Sequence, residues 1–328
     1  MPKKETYDEQ VLREFEETQN DVGVIKNGDL GKVDLNKGLD INDDPNIKRI
    51  NDSIGFLNVP LEDLPSQGRY YPENTRITIR AARVGEIREF STIDENDIKD
   101  VTDKMTYMLS QCVKVYYGNV LGSYKDIITA DRIVIILKIR ELTFVDGASS
   151  IKIPVPSGAC QTVGCHPQET IDFNTHTLTF IKPDETLEKY YDSANRCYNV
   201  ATKKFGTISI YPPNVGVSSV ITDWVIKQQR ENKKIDASLA EILQFVIKDW
   251  RGLTDKMIFA KLTELSGWST EKFALMYRLV EKVNVGIEFD VTTTCETCGG
   301  EIKVPITFPD GYKSLFVPTI SDLGDELL

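Results

Sequence analysis

Histidine is nearly missing from this chain: of 328 residues, only two are His, at positions 166 and 176. Neither stands in a Ser/His/Asp or Cys/His signature. Pairing Cys165 with its sequence neighbour His166 is a poor nucleophile and base, because such groups usually meet through the fold. The stretches G-x-x-x-x-G-K-[ST], G-x-G-x-x-G, H-E-x-x-H and G-x-S-x-G are also lacking. Phosphate cradles, dinucleotide turns, helical metalloprotease sites and nucleophile elbows therefore have no basis in the sequence. The expectation is a protein that is not an enzyme.

Long apolar runs are missing too. No stretch of about 18 apolar residues is present to span a bilayer, and MPKKETYDEQ is polar where a secretion signal needs an apolar segment. These features predict a chain that stays in the cytosol where it is made. Basic residues are outnumbered, 39 against 50 acidic, for a net charge of -11. Such a surface repels phosphate backbones and anionic lipid, so the expected partners are proteins, with no nucleic acid and no membrane segment.

What the chain does have is 41% hydrophobic residues, enough for one large or two ordinary domains. The expected class is α+β, with a mixed strand and helix body, a small helical subdomain and a zinc-ribbon-like hairpin. The boundaries read as an acidic arm over 1–52, the body over 53–215, the helices over 216–286, and the hairpin with its tail over 287–328. The first 50 residues hold 12 acids and 8 bases, too polar to bury much surface, which fits either a disordered tail or a segment that folds along a neighbouring subunit.

Within the body, TRITIRAA (75–82) alternates as a half-buried strand does. Ile98, Val101, Met105, Met108, Leu109, Cys112 and Val113 recur at helical spacing as a core stripe. TADRIVIILKIRELTF reads as a buried helix with Asp131 as N-cap, although its Ile and Val run also suits a strand. SSIKIPVP and TIDFNTHTLTFI read as strands flanking the loop SGACQTVGCHPQE. Further on, Ser238 and Glu241 have capping-box spacing ahead of Leu239, Ile242, Leu243, Val246 and Trp250, and two more helices are expected to end at Gly267 and Gly286. IEFDVTTTCETCGGEIKVPITF reads as two strands around a cysteine turn.

Six cysteines without a secretion signal argue for reduced thiols or metal ligands. Cys112 and Cys197 have core neighbours. The other four fall in two loops as Cys160-x4-Cys165 and Cys295-x2-Cys298, and together they supply four thiolates for a structural zinc ion, with His166 as an alternative fourth ligand. The same residues would also suit a lost site, buried small hydrophobes or a redox pair at Cys295 and Cys298. A zinc ribbon that binds nucleic acid is another reading, but residues 286–300 have no Lys or Arg against the acids Glu288, Asp290 and Glu296. Three adjacent pairs, Tyr70 with Tyr71, Tyr116 with Tyr117 and Tyr190 with Tyr191, are candidates for assembly surfaces, since one member of such a pair in a strand faces outward.

The order of DLPSQGRYYPENTRITIRAARVGEIREFSTI, the helix from Met105 to Cys112, DRIVIILKIRELTF and GIEFDVTTTCETCGGEIKVPITFPDGYKSLF resembles the baseplate hub and hub-assembly proteins of T-even-type contractile-tailed phages. The matching features are an L-P-S-x-G-x-x-Y-P turn before a strand, a cysteine-pair knuckle, and an aromatic such as Phe316 shortly after it. The likeness runs over residues 56–318 and leaves the acidic arm outside. It implies no enzymatic reaction. It implies a protein that binds other hub or tail subunits in the host cytoplasm during tail assembly, and that is either kept in the virion baseplate or released. The chain departs from the pattern at its first cysteine pair, which is C-x4-C rather than C-x-x-C.

Overall fold

In the computed structural model of the chain, the residues described are 55–144, 150–308 and 311–317. The acidic arm expected over 1–52 lies outside them. Over the described residues the fold is α+β, with helices around several small antiparallel sheets.

The first sheet has the order β1 (Leu57–Val59), β2 (Thr75–Ile79), β3 (Val113–Tyr117) and β4 (Val120–Leu121). As the alternation of TRITI predicts, Ile77 and Ile79 of β2 are buried. Two helices connect β2 to β3. In α1 (Val84–Ser91), Glu86 accepts the Arg83 backbone N–H and pairs with Arg80. In α2 (Ile98–Cys112), the side chain of Asp97 caps the first turn and Val101, Met105, Met108, Leu109 and Cys112 form the buried stripe. Ile98, the first residue of the helix, leaves that stripe and is 81% exposed.

The ambiguous Ile and Val run is a helix, α3 (Arg132–Thr143), with Val134, Ile135, Ile136, Leu137, Ile139 and Arg140 buried and its other residues partly buried. Asp131 precedes it but makes no side-chain cap bond. Its carboxylate instead accepts the Ser66 N–H at 2.8 Å, the Ser66 hydroxyl at 2.6 Å and the Tyr71 hydroxyl at 2.7 Å. The LPSQGRYYP turn is thereby fastened to the start of α3, with Gln67 and Gly68 both in the left-handed region at φ 51 and 76°. The expected outward tyrosine does not occur here: both Tyr70 and Tyr71 are buried, and the Tyr70 and Tyr198 hydroxyls lie 3.1 Å apart. Each hydroxyl has a partner inside, so neither ring needs water. Tyr191 packs beneath the Arg69 guanidinium, 3.8 Å from its ring centre.

At the far end of α3, Arg140 is fully buried and donates to the carbonyls of Ser150, Ser314 and Leu315. Those bonds hold a short turn of helix over Gly311–Leu315, whose first N–H groups are accepted by Glu95. Phe316 is fully buried against Phe90, ring centres 5.0 Å apart.

Next come the hairpin of β5 (Ile151–Pro154) and β6 (Thr170–Phe173), a turn over Thr175–Thr177 and β7 (Phe180–Ile181). TIDFNTHTLTFI is thus two short strands, because Asn174 caps the intervening turn through the His176 N–H. β8 (Tyr191–Asp192), β9 (Cys197–Thr202) and β10 (Gly206–Ile210) make a three-stranded sheet in which Cys197 is buried.

Four capped helices follow, α4 (Val215–Arg230), α5 (Ala237–Val246), α6 (Asp255–Ser266) and α7 (Thr270–Val283). Two local expectations fail. Asp236, not Ser238, caps α5, accepting the Ser238 N–H and hydroxyl, and the helix stops before Trp250. Gly286 does not end α7, which closes at Asn284; it opens β11 (Gly286–Ile287), and β11 pairs with β7. Gly267 does cap α6, in a right-handed conformation. Gly216 in the first turn of α4 lies so close to the Trp250 ring that a Cβ would fall 2.4 Å from it. Last, β12 (Asp290–Thr294) and β13 (Glu301–Pro305) form the hairpin around the cysteine turn.

Candidate metal centre

Two loops distant in sequence meet at one end of the molecule. One joins β5 to β6 and carries Cys160 and Cys165; the other joins β12 to β13 and carries Cys295 and Cys298. Their local folding follows from glycine. Gly164, just before Cys165, and Gly299, just after Cys298, have φ of 77 and 75°, which L-residues with a Cβ rarely adopt. These turns reverse the chain and aim the sulfurs at one another. Cys295 and Gly300 close the knuckle by a 2.8 Å backbone bond, and Cys165 N–H is fixed to Thr162 O at 3.0 Å.

The four Sγ atoms lie within 4.8 Å of one another. Across the loops, Cys160 is 3.4 Å from Cys298 and Cys165 is 3.6 Å from Cys295. A disulfide would need about 2.05 Å. A zinc ion bound by four thiolates at about 2.3 Å sets its sulfurs about 3.8 Å apart along each edge of the tetrahedron. The two cross-loop spacings fall near the second geometry and far from the first.

Electrostatics point the same way. The Cys298 thiol is lowered to about 6, chiefly by its hydrogen bond with Thr162, then by the Gly300 backbone and the thiols of Cys160 and Cys165. Cys165 is raised, by desolvation first and then by hydrogen bonds with the other three thiols. A cation at the centre would favour the thiolate form of each sulfur bound to it. Cys295 is buried while Cys298 is exposed, so the pocket is open on one side to an entering ion.

All four predicted cysteines therefore converge. His166 does not join them: it is exposed, and only its carbonyl takes part, accepting the Thr297 hydroxyl at 2.7 Å. Two further residues of the centre carry no sequence signal. Thr162 lies 3.5 Å from the Cys298 sulfur, and the Gln168 side chain accepts the Glu296 N–H at 3.1 Å while donating to Thr294 O at 3.4 Å. Only the assembled loops reveal them.

Comparison of the chain with protein-family models, with curated proteins and with solved structures returns no match. Among the described residues, no helix is long and apolar enough to cross a membrane.

Proposed function

We propose that the chain is a non-enzymatic baseplate hub component or hub-assembly factor of a contractile phage tail, stapled by a structural zinc ion and acting through contacts with other tail subunits. The observation that carries the zinc is the convergence of four thiols from two loops at metal-sized spacing. Cys160, Cys165, Cys295 and Cys298 hold the ion. It fills no catalytic role there, since four protein ligands leave no position for water or substrate.

The hub assignment is supported by the resemblance over residues 56–318. Two of the features that carry the resemblance have defined places in the core. The LPSQGRYYP turn is the partner of Asp131, and the aromatic that follows the knuckle, Phe316, is core against Phe90. Metal analysis of the purified chain tests the ion, with one zinc per chain expected and a stoichiometry well below one overturning it. Mass spectrometry of purified virions and immature tails tests the assignment. A fixed ratio to tail proteins in both marks a structural part, presence only in immature tails marks a released assembly factor, and absence from both overturns the reading.

A further inference from the structure

A cleft of about 180 Å³ opens at the end of β3, between the LPSQGRYYP turn, the turn from β8 to β9, the run into α4 and the loop from α5 to α6. It shares no residue with the thiol cluster. The half-buried Tyr117 and Tyr211 line it together with Pro72 and Pro212. Tyr70 and Tyr71 reach it from the core, but their hydroxyls are bonded to Tyr198 and Asp131, so neither has a free hydroxyl to offer. An apolar cavity of about 150 Å³ holds one benzene ring. This cleft therefore has room for a ring and a small substituent.

The charged side chains of the lining are Asp126, Arg196, Lys248, Asp249 and Arg251, and their pairing decides what the substituent must be. Arg251 is held by Asp126, with contacts of 2.6 and 2.7 Å, and by Asp249 at 3.2 Å. Trp250 adds a 2.9 Å bond to Asp126. Both acids are thus occupied. The other two cations have no carboxylate against them. Lys248 donates to the neutral amide of Asn195 at 3.2 Å, and Arg196 has no ion pair or side-chain hydrogen bond among the described residues. The neighbouring Asp192 lies outside the lining, and its oxygens are taken by Asn195 and Asn199; its carboxyl is lowered first by Asn195 and last by Lys248. Three cations against two carboxylates leave one positive charge over in the cleft, on a chain whose net charge is -11.

The backbone singles out the same arginine. Arg196 closes the turn between β8 and β9 in the left-handed region, at φ 53°, a conformation that favours glycine. Strain of this kind collects at binding sites, where the side chain it places is needed.

We propose that this cleft binds a carboxylate carried on a ring-sized group, with the ring against Tyr117 and Tyr211 and the carboxylate at Arg196 and Lys248. A single negative charge balances the cleft, whereas a phosphomonoester carries nearly two and would set the surplus beside Asp126 and Asp249. The same chemistry is offered by a small aromatic acid and by an aromatic residue at the carboxy terminus of a polypeptide. The site stands independently of the zinc and hub readings.

The test offers the purified chain benzoate, benzamide, acetate and phenyl phosphate, with binding read by ligand-observed NMR. Benzoate is expected to bind saturably and more tightly than the others, since benzamide lacks the charge, acetate lacks the ring and phenyl phosphate carries surplus charge. Two hexapeptides ending in phenylalanine, one with a free and one with an amidated carboxy terminus, separate the sources. Tighter binding of the free-acid peptide than of benzoate supports the site with a polypeptide terminus as its occupant, and the reverse supports it with a small acid. Arg196→Gly should weaken the tighter of the two about tenfold or more, the effect of losing one charge-assisted hydrogen bond. Because glycine suits the left-handed turn, the same variant should keep or raise the Tm, which separates lost binding from lost folding. Lys248→Met should weaken binding by a similar factor. Absence of binding by both benzoate and the free-acid peptide overturns the proposal, as does equal binding of the neutral or amidated forms. Tighter binding of phenyl phosphate, or unchanged affinity in Arg196→Gly, overturns it too.

Discussion

The start of α3 and the cysteine end of the molecule solve the same problem by different means. Around α3, Asp131 is 0% exposed and ties a turn to a helix through three hydrogen bonds, amid a core that includes Leu64, Ile77, Val134 and Ile135. At the cysteine end, two two-stranded hairpins bring loops together whose tips are exposed, Val163 fully so. An isolated hairpin is marginal in water. Where apolar burial is ample, a buried carboxylate can serve as a fastener despite its desolvation; where it is scarce, four thiols converge, and the proposed zinc ion would be the fastener.

This contrast breaks most sharply on removal of the metal. A chelator, or Cys298→Ser, should release residues 290–305 to fast hydrogen exchange while β2, β3 and α3 keep their protection, since structural zinc contributes roughly 10–16 kcal/mol in small metal-folded peptides. Unchanged metal content and melting in Cys298→Ser would refute the zinc staple. Asp131→Ala comes next: it leaves the Ser66 N–H and Tyr71 hydroxyl buried without that acceptor and should cost about 3 kcal/mol, read as a fall in Tm of about 6–12 °C.

The two regions should also answer pH with opposite signs. Burial pushes the Asp131 carboxyl up to about 6 from 3.8, against the lowering by its hydrogen bonds with Ser66 and Tyr71. The folded chain therefore holds that proton more tightly than the unfolded chain does. The stability it contributes is complete below about pH 4 and is lost as pH rises through about 6. Zinc binding by thiolates moves the other way and strengthens as protons leave. A pH series of Tm, with and without chelator, separates the two slopes; parallel slopes would show that one fastener governs both ends.

Smaller effects sharpen the picture within the apolar part. Gly216→Ala forces a methyl into the Trp250 ring and should cost about 1–3 kcal/mol by overpacking, with loss of the 2.9 Å bond from Trp250 Nε1 to Asp126 as the structural readout. Ile98→Ser, at an 81% exposed position, should change stability by no more than about 0.5 kcal/mol. A larger fall in urea denaturation would mean that this side chain is covered.

How much of this could be read from the residues alone depends on the range of the forces involved. The stripe in α2, the TRITI strand and the knuckle hairpin follow from periodicity and turn chemistry, which act over a few residues, and they form as the pattern predicts except that Ile98 leaves the stripe, Val113 opens β3 and the strand ends at Ile79 rather than at residue 82. The Ile and Val run reads both ways because its apolar residues fall on more than one face and blur the period; packing of six residues between Val134 and Arg140 in the interior decides it. Asp131 carries the composition of an N-cap and lost that role to Ser66 and Tyr71, 65 and 60 positions away. Gly286 fails as a helix stop because β7 claims it as a strand partner. In the candidate site, the four cysteines were legible from identity and spacing. Thr162 and Gln168 were not, since their contacts form only once the loops have met.

The separation of those loops carries a consequence for how the molecule is made. Cys160 and Cys298 stand 138 positions apart, and β7 too precedes its partner β11 by the whole run of helices. On the ribosome, the first cysteine pair must therefore emerge and remain without its mates while α4 to α7 are synthesised, at about 5–20 residues per second. The proposed zinc site could be completed only in the final seconds of translation, after the helices that separate its two loops have been synthesised. A nascent chain halted before Cys295 would then be the natural place to find these thiols oxidised or captured by a chaperone.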